Sequence, residues 1–376
     1  MSRRRSKKGT KKASKKQGAS AFKEFSERKE GEAQEEMAAE LDFLRRRNKA
    51  LERKVSSQEA AVRLIIQEVR ESLEDQAAPR VPTPPKRAAK DRREVAVLLY
   101  SDLQAGALGT GPRETDRFSV ARLREMVLGP LLEKTLATVD NRRKDAEVET
   151  LQLWSLGDLV DGSGMRSNHA WEVEEDVLAQ SMHTVPDLSR DFTLGLLRGF
   201  QRIEVTAVSG NHGRSGPKKA DPNPARVNWD TVAALTWQEK MRGLADDRVT
   251  FNVEQDERVV IVELGQRKAL LCHGDNLAAG GGGLMGIPMY GITRGLYKLF
   301  GSNIYGPVDY VAFGHFHQTM QGALGDVIWW SNGSPQRGNR FAREIVKSDC
   351  RPSQRLLFFD AETGDLRSDH ILFLDD

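Results

Sequence analysis

The chain has 376 residues, of which 39% are hydrophobic and 30% are charged, and its formal net charge is +3. This length accommodates one large domain or two ordinary ones, and no stretch approaches the roughly 18 uncharged apolar residues of a membrane span. No apolar segment follows the basic N-terminus, so a secretory signal is not expected, and two cysteines exclude a disulfide framework. We therefore expect a cytoplasmic protein.

The positive charge is concentrated at the N-terminus. The first twenty residues carry nine Lys and Arg side chains and no acid; residues 1–93 sum to about +11, and residues 94–376 to about −8. An acidic body with a cationic arm favours nucleic acid as a partner, although such a tail also serves as a solubilising or targeting element.

The N-terminal third is predicted to contain a tail, a helix and a linker. Residues 1–35 have few apolar side chains, which predicts a disordered basic tail. Residues 36–75 show a heptad pattern that predicts a coiled-coil helix, and Asn48 at an a position favours a parallel homodimer. The alternative is a long helix that folds back on its own domain. Residues 76–93 are Pro-rich and basic, which predicts a semi-rigid linker. The a positions are Leu41, Asn48, Val55, Val62 and Val69, and the d positions are Met37, Leu44, Leu51, Gln58 and Ile65.

Residues 94–376 are predicted to form one catalytic domain. Short β-rich runs first alternate with helical stretches around 120–139, 173–200 and 229–244, the second of which we expect to be interrupted at Pro186. The remainder is β-rich and opens with an apparent hairpin over 258–275. This order predicts an α/β (α+β) layered sandwich of mixed sheets flanked by helices.

Five predicted strands each end in residues of the types that bind metals. Because loops at the ends of neighbouring strands meet at one edge of a sheet, these residues are expected to converge. The segments are Ser101-Asp102-Leu103-Gln104, Gly157-Asp158-Leu159-Val160-Asp161, Gly210-Asn211-His212, Cys272-His273-Gly274-Asp275 and Gly314-His315-Phe316-His317.

In order and spacing these segments resemble the motifs of the calcineurin-like metallophosphoesterase superfamily: DxH, GDxxD, GNH, a lone His and GHxH. The resemblance covers about residues 94–340, and Gln104 stands where the family usually has His. The short motifs and the GNHGR loop look most like the nuclease branch related to double-strand-break repair exonucleases, in particular the stand-alone versions of phages and bacteria.

The resemblance implies two divalent metal ions. Asp102, Gln104 and His317 would hold the first, Asn211, His273 and His315 the second, and Asp158 would bridge both. An amide oxygen at Gln104 would favour Mn²⁺, with Mg²⁺, Fe²⁺ and Zn²⁺ as alternatives. A surface amide without a ligand role is the alternative for Gln104. His212 would act as general acid and Asp161 would orient it.

The implied reaction is phosphodiester hydrolysis by a hydroxide held between the metals, and a DNA nuclease, exo- or endonucleolytic, is the predicted function. Arg214, Lys218 and Lys219 form a basic loop that could contact a nucleic acid backbone. A small-molecule phosphodiesterase or nucleotide pyrophosphatase is the main alternative. A protein phosphatase is disfavoured because Gly162 stands where those enzymes carry Arg, and a non-catalytic DNA-binding scaffold has only Gln104 in its support.

Two further features of the sequence leave alternatives open. Tyr290, Tyr297 and Phe300 follow the fourth motif, and such residues more often pack a helix under a lid than stack on bases. The resemblance to repair nucleases also allows for an ATPase partner.

Overall fold

The computed structural model describes residues 7–74, 79–87, 89–110, 117–162, 172–215, 225–244, 247–277, 288–337 and 350–375. The chain divides into two compact units, residues 1–58 and residues 59–376.

The described part of the first unit, residues 7–58, is helical and forms the beginning of α1 (Lys7–Glu74). Residues 7–35 are therefore helical, whereas their composition predicts disorder; the many Lys, Ala, Glu and Gln residues there have high helix propensity. Met37, Leu41 and Leu44 of the predicted heptad seam are exposed. Pairing of this seam in a dimer stays a prediction.

The second unit begins inside the same helix, and here the helix packs on its own domain. Val69 is buried, and Val62 and Ile65 are half-buried. The Arg70 guanidinium donates two hydrogen bonds of 3.0 Å to the Glu239 carboxylate, and the Arg226 guanidinium lies 3.1 Å from Glu59. Over residues 59–74 the apolar heptad residues therefore pack against the chain's own domain, as the fold-back alternative predicts.

The segment predicted as a linker has no helix or strand in its described residues 79–87 and 89–92, and its last residue, Arg93, begins a strand. It nevertheless contacts the domain: Pro84 is buried, Val81 packs against the core, and the Pro82 carbonyl accepts a 2.6 Å hydrogen bond from Arg248. Residues 81–84 are therefore held on the surface of the domain.

Six further helices and thirteen strands follow in the described residues. The helices are α2 (Val120–Met126), α3 (Leu132–Arg142), α4 (Val177–Ala179), α5 (Val185–Leu196), α6 (Trp229–Arg242) and α7 (Met289–Ser302). The strands are β1 (Arg93–Tyr100), β2 (Gly109–Thr110), β3 (Arg117–Phe118), β4 (Glu147–Ser155), β5 (Arg202–Ala207), β6 (Val249–Val253), β7 (Val259–Leu264), β8 (Arg267–Cys272), β9 (Tyr310–Phe313), β10 (Met320–Leu324), β11 (Val327–Ser331), β12 (Ser353–Asp360) and β13 (Leu366–Phe373). In the part of the chain described, no helix is long and apolar enough to cross a bilayer.

Two mixed sheets form the domain. The first has the order β13-β12-β1-β4-β5-β6, with β1, β4, β5 and β6 parallel and β12 antiparallel to both of its neighbours. The second has the order β10-β11-β9-β8-β7, with β8, β9 and β11 parallel and the outer strands antiparallel. Strands β2 and β3 form a separate short pair.

The sheets and helices form the predicted layered sandwich. Along β1, Val97 and Leu99 belong to a core shared with Leu271 and Ala312 of the second sheet. Alternate β1 residues such as Leu98 pack under the helices on the other face of the first sheet. Because side chains alternate across a strand, an apolar run such as that of β1 is buried on both faces.

Pro186 does not interrupt its helix. The helix runs from Val177 to Leu196, and a π-helical turn, Gln180–Thr184, ends two residues before the proline. Proline has no backbone N–H to donate to the preceding turn, and the wider π-helical turn fits a proline without breaking the helix. A second π-helical turn, Val127–Leu131, contains Pro130 and joins α2 to α3.

Candidate metal centre

The five motif segments meet where the ends of the two sheets come together. Asp102, Asp158 and Asn211 follow the parallel strands β1, β4 and β5, and the His273 and His315 loops follow β8 and β9. The backbone N–H of His315 donates to Asp102 Oδ1 at 2.9 Å. His273 Nδ1 lies 2.8 Å from the Leu156 carbonyl oxygen, so the loops of one sheet are bonded to those of the other.

Asp158, His273 and His315 form a cluster that could hold a metal ion, with one ligand atom from each within 4.8 Å of the others. Asp158 Oδ2 and His273 Nε2 are buried and approach to 3.0 Å, and neither atom has another hydrogen-bond partner among the described residues. Because His273 Nδ1 donates to Leu156, its Nε2 carries a lone pair in the neutral ring. A buried carboxylate oxygen and a buried imidazole nitrogen that face each other are the donor types that a divalent cation binds once the imidazole proton has left, so these residues fit a metal ion.

Asp102, Gln104 and His317 lie together beside this cluster. His317 Nε2 is 3.5 Å from Asp102 Oδ1 and 3.1 Å from Gln104 Nε2. The amide oxygen and nitrogen of Gln104 exchange places by a half-turn of the amide group, which would direct the oxygen at the metal position. Asn211 is buried in the loop whose next residue, His212, donates its backbone N–H to Asp158 Oδ1 at 2.8 Å.

His212 is held by Asp161 and faces the candidate ligands. Its Nδ1 lies 2.5 Å from Asp161 Oδ1, and its Nε2 lies 3.4 Å from Gln104 Nε2 and 3.8 Å from Asp158 Oδ2. The carboxylate on Nδ1 fixes the ring so that Nε2 points into the site. This is the geometry of an oriented acid or base.

Burial and neighbouring charges shift the pKa values of the cluster. Burial, reinforced by the Asp158 charge, raises the pKa of Asp102 to about 7. Burial alone would raise the pKa of Asp158 and lower those of His273 and His212. Their mutual attraction prevails: the pKa of Asp158 is lowered, and those of His273 and His212 rise to about 10 and about 9.

Burial lowers the pKa of His315 to about 3 and that of His317 to about 4, which keeps both rings in the neutral form that binds metals.

Five of the seven candidate ligands occupy backbone conformations that favour glycine. Their φ values are positive: Asp102 54°, Gln104 44°, Asp158 51°, His315 71° and His317 58°. Glycines make this packing of loops feasible, since a Cβ at Gly210 would lie 2.1 Å from Asp158 Oδ1 and one at Gly314 would lie 2.4 Å from Asp102 Oδ2. Positive φ at several polar residues in one site is typical of functional strain.

Asp230 is a residue of this site that sequence reasoning missed. It is buried at the start of α6, and its carboxylate accepts hydrogen bonds of 2.7–3.0 Å from the backbone N–H groups of Asp158, Leu159, Val160 and Gly210. Asn228, the N-cap of α6, donates to the Gly210 carbonyl at 2.8 Å. In the sequence this pair gives only the signal of a helix start.

The loop that carries Asp102 is fixed by a buried network of polar side chains. Asp102 Oδ2 accepts from Ser101 Oγ at 2.5 Å, and Ser101 Oγ in turn accepts from Asn332 at 3.0 Å. Gln354 bonds both the N–H and the carbonyl of Ser101. Residues from β12 and the loop after β11 thereby orient the Asp102 carboxylate.

Of the three predicted substrate-binding residues, the structure describes Arg214. Arg214 Nη2 donates to Asp275 Oδ2 at 3.1 Å, and Arg258 also bonds this carboxylate, at 2.9 Å. Two guanidinium groups therefore meet one carboxylate two residues after His273, which leaves a net positive charge there. Lys218 and Lys219 lie outside the described residues.

Comparison with known proteins gives distant structural likenesses only. No family model and no curated protein matches the chain. An archaeal phosphodiesterase is 12% identical with a TM-score of 0.33, over 74% of this chain and 99% of its own. Vacuolar protein sorting 29 from Cryptosporidium parvum is 12% identical with a TM-score of 0.31, over 75% and 99%. A hypothetical protein from Pyrococcus horikoshii is 13% identical with a TM-score of 0.36, over 75% and 89%. Likenesses this distant establish neither a family nor an activity, so the function has to be argued from the site.

Proposed function

We propose that this chain is a metal-dependent phosphodiester hydrolase of the calcineurin-like type and that its substrate is DNA. The observation that carries the proposal is the convergence of all five motif segments on one buried cluster, in which Asp158 Oδ2 and His273 Nε2 face each other at 3.0 Å. Seven side chains would hold two ions there: Asp102, Gln104, Asp158, Asn211, His273, His315 and His317.

The residues around the metals have distinct tasks. Two divalent cations, when bound, would lower the pKa of a water molecule and neutralise charge on the phosphate oxygens. Asp158 would help to hold both ions, and Asp230 fixes the loop that carries it. His212, oriented by Asp161, would protonate the leaving oxygen through Nε2. We propose Mn²⁺ as the preferred ion because Gln104 supplies an oxygen where an imidazole would favour Zn²⁺.

Two observations favour DNA over a phosphoprotein. A Cβ at Gly162 would lie 2.3 Å from the His212 carbonyl oxygen, so this backbone excludes any side chain at the position where protein phosphatases carry Arg. The first twenty residues carry nine cationic side chains and no acid, a charge that a polyanion neutralises. We also propose that residues 36–58 pair two copies in parallel, which would place two sites and two basic arms on one duplex.

The test is cleavage of end-labelled linear, circular and single-stranded DNA in Mn²⁺, in Mg²⁺ and in EDTA. We expect cleavage with the metals and none in EDTA, and product length separates exonuclease from endonuclease action. Deleting residues 1–20 should weaken DNA binding and flatten its salt dependence, since each lost phosphate contact removes about 0.9 from the slope of log K against log salt. Hydrolysis of a chromogenic phosphodiester without cleavage of any DNA would instead identify a small-molecule phosphodiesterase.

A further inference from the structure

Helix α7 presents an aromatic face to solvent on the element that links the His273 and His315 loops. Ile292 and Leu296 on its inner side are fully buried in the core under the second sheet. Tyr290 and Tyr297 on its outer side are 80% and 69% exposed. Rings exposed to this extent do not contribute to that core, so the lid-packing role does not account for them.

The helix is fixed to the loops that carry the candidate metal ligands. A Cβ at Gly295 would lie 1.9 Å from the carbonyl oxygen of Leu277, four residues after His273, so α7 lies directly against that segment. Phe316, between His315 and His317, packs in the same apolar core as Ile292 and Leu296. The outer face of α7 is thus a rigid platform attached to both histidine loops.

The outer face also carries positive charge. Arg294 and Lys298 are exposed between and beside the two tyrosines, and neither forms an ion pair with any residue in the described part of the chain. Helix α7 contains no Asp or Glu. Residues 94–376 carry a net charge of about −8, so the positive charge of α7 is opposite in sign to that of the domain around it.

Rings and cations follow one another along the helix in the order in which bases and phosphates follow one another along a nucleic acid strand. Tyr290, Arg294, Tyr297 and Lys298 fall at positions i, i+4, i+7 and i+8 of one helix, so they share one stripe. Seven residues correspond to a rise of about 10 Å between the rings, which spans about three stacked bases. Arg294, between the rings, and Lys298, beside Tyr297, are placed for contacts with phosphates.

We propose that this stripe of α7 binds single-stranded nucleic acid, with Tyr290 and Tyr297 stacking on bases and Arg294 and Lys298 contacting phosphates. The proposal rests on the proposed function, since it identifies the strand form that the site receives. A single strand is favoured because solvent-exposed rings stack only on bases that are unpaired at that point.

The test is binding of a labelled oligothymidylate to the full chain, measured by fluorescence anisotropy in EDTA so that no cleavage occurs. Raised salt reduces the contribution of the basic tail. The double variant Tyr290→Leu/Tyr297→Leu should lose at least about fivefold in affinity per ring. Tyr290→Phe/Tyr297→Phe, which keeps both rings, should bind as the unaltered chain does. Ile304→Ala, at an exposed apolar residue after α7, is the matched surface control.

The cations have a separate readout. Arg294→Ala/Lys298→Ala should reduce the slope of log K against log salt by about 1.4, the value for two phosphate contacts on a single strand. Thermal unfolding of each variant shows that the fold is kept.

The outcomes distinguish the two proposals. Unchanged oligothymidylate affinity in the leucine variant would overturn the assignment of α7. A loss of self-association in sedimentation, without a loss of oligonucleotide binding, would likewise overturn it by assigning the face to a protein partner. Hydrolysis of a chromogenic phosphodiester by the unaltered chain with Mn²⁺ tests the proposed function separately, because that substrate has no bases to stack.

Discussion

At the scale of single residues, the candidate site combines strained ligands with buried supports. Asp102 and Asp158 hold left-handed conformations that cost of the order of 1–3 kcal/mol each, and burial adds a desolvation cost. The hydrogen bonds of Asp230 and of the Ser101 network offset part of this cost. Strain that several neighbours maintain in this way keeps ligand atoms close together before a cation binds.

Asp230→Asn tests this support. The amide keeps the size but would place an N–H₂ group against backbone N–H donors, so up to two of four hydrogen bonds would be lost. We expect Mn²⁺ affinity to fall about 10- to 100-fold and the unfolding free energy to drop by about 1–3 kcal/mol. Calorimetric titration and thermal unfolding measure the two effects.

The control for that variant is Asp256→Asn, at a carboxylate whose side chain is 82% exposed. It should change neither quantity. Unaltered Mn²⁺ affinity in Asp230→Asn would mean that the Asp158 and Gly210 loops are held by other contacts.

At the scale of elements, strand ends were predictable and packing partners were not. The motif residues follow apolar strands, and parallel strands bring their ends to one edge, so the meeting of Asp102, Asp158 and Asn211 after β1, β4 and β5 follows from sequence order. His273 reaches them from the second sheet, and the packing of one sheet on the other is not encoded in strand order. Asp230 could not be found in this way, because a single acid at a helix start also serves as an ordinary capping residue. The heptad of α1 specifies an apolar stripe but not what covers it, and Val69 is covered by the chain's own domain.

The two uses of α1 can be separated by truncation. A chain of residues 59–376 should keep the stability of the domain and lose self-association, since Val69 and the Arg70–Glu239 pair remain. Removing residues 59–74 as well should cost about 2–3 kcal/mol of unfolding free energy, mostly from apolar burial, because Arg70 is half exposed. Denaturant unfolding and sedimentation velocity measure these outcomes.

Equal stability of the two truncated chains would show that the end of α1 contributes nothing to the domain. Dimers of residues 59–376 would place the self-association surface outside residues 1–58.

At the scale of the whole molecule, the site joins two sheets that are far apart in sequence. Ligands after β1, β4 and β5 belong to one sheet and those after β8 and β9 to the other, so the complete centre exists only when the sandwich is assembled. Metal binding at this centre would therefore be linked to folding and to the loss of the protons that the candidate ligands hold without a metal.

This linkage gives the stability a pH dependence. The pKa values of His273 and His212 are raised to about 10 and about 9, so the folded metal-free protein keeps protons that the unfolded chain releases above about 6.5. Its stability should fall by about 2–3 kcal/mol per unit between about pH 7 and about pH 8.5, since each of the two groups contributes about 1.4 kcal/mol per unit. Because a cation replaces the His273 proton, Mn²⁺ should raise the unfolding temperature more at the higher pH. An Mn²⁺ effect that is the same at both pH values would contradict this linkage.

The most direct measurement is the Mn²⁺-dependent hydrolysis of a chromogenic phosphodiester by the unaltered chain, by Asp158→Asn and by His212→Ala. If Asp158 holds both cations and His212 protonates the leaving oxygen, the unaltered chain hydrolyses the diester with Mn²⁺ and not in EDTA. Asp158→Asn then loses both metal binding and turnover, while His212→Ala keeps its metals and loses about 10²- to 10⁴-fold in rate. Turnover that survives EDTA, or that is undiminished in both variants, would contradict a metal-dependent hydrolase at this site.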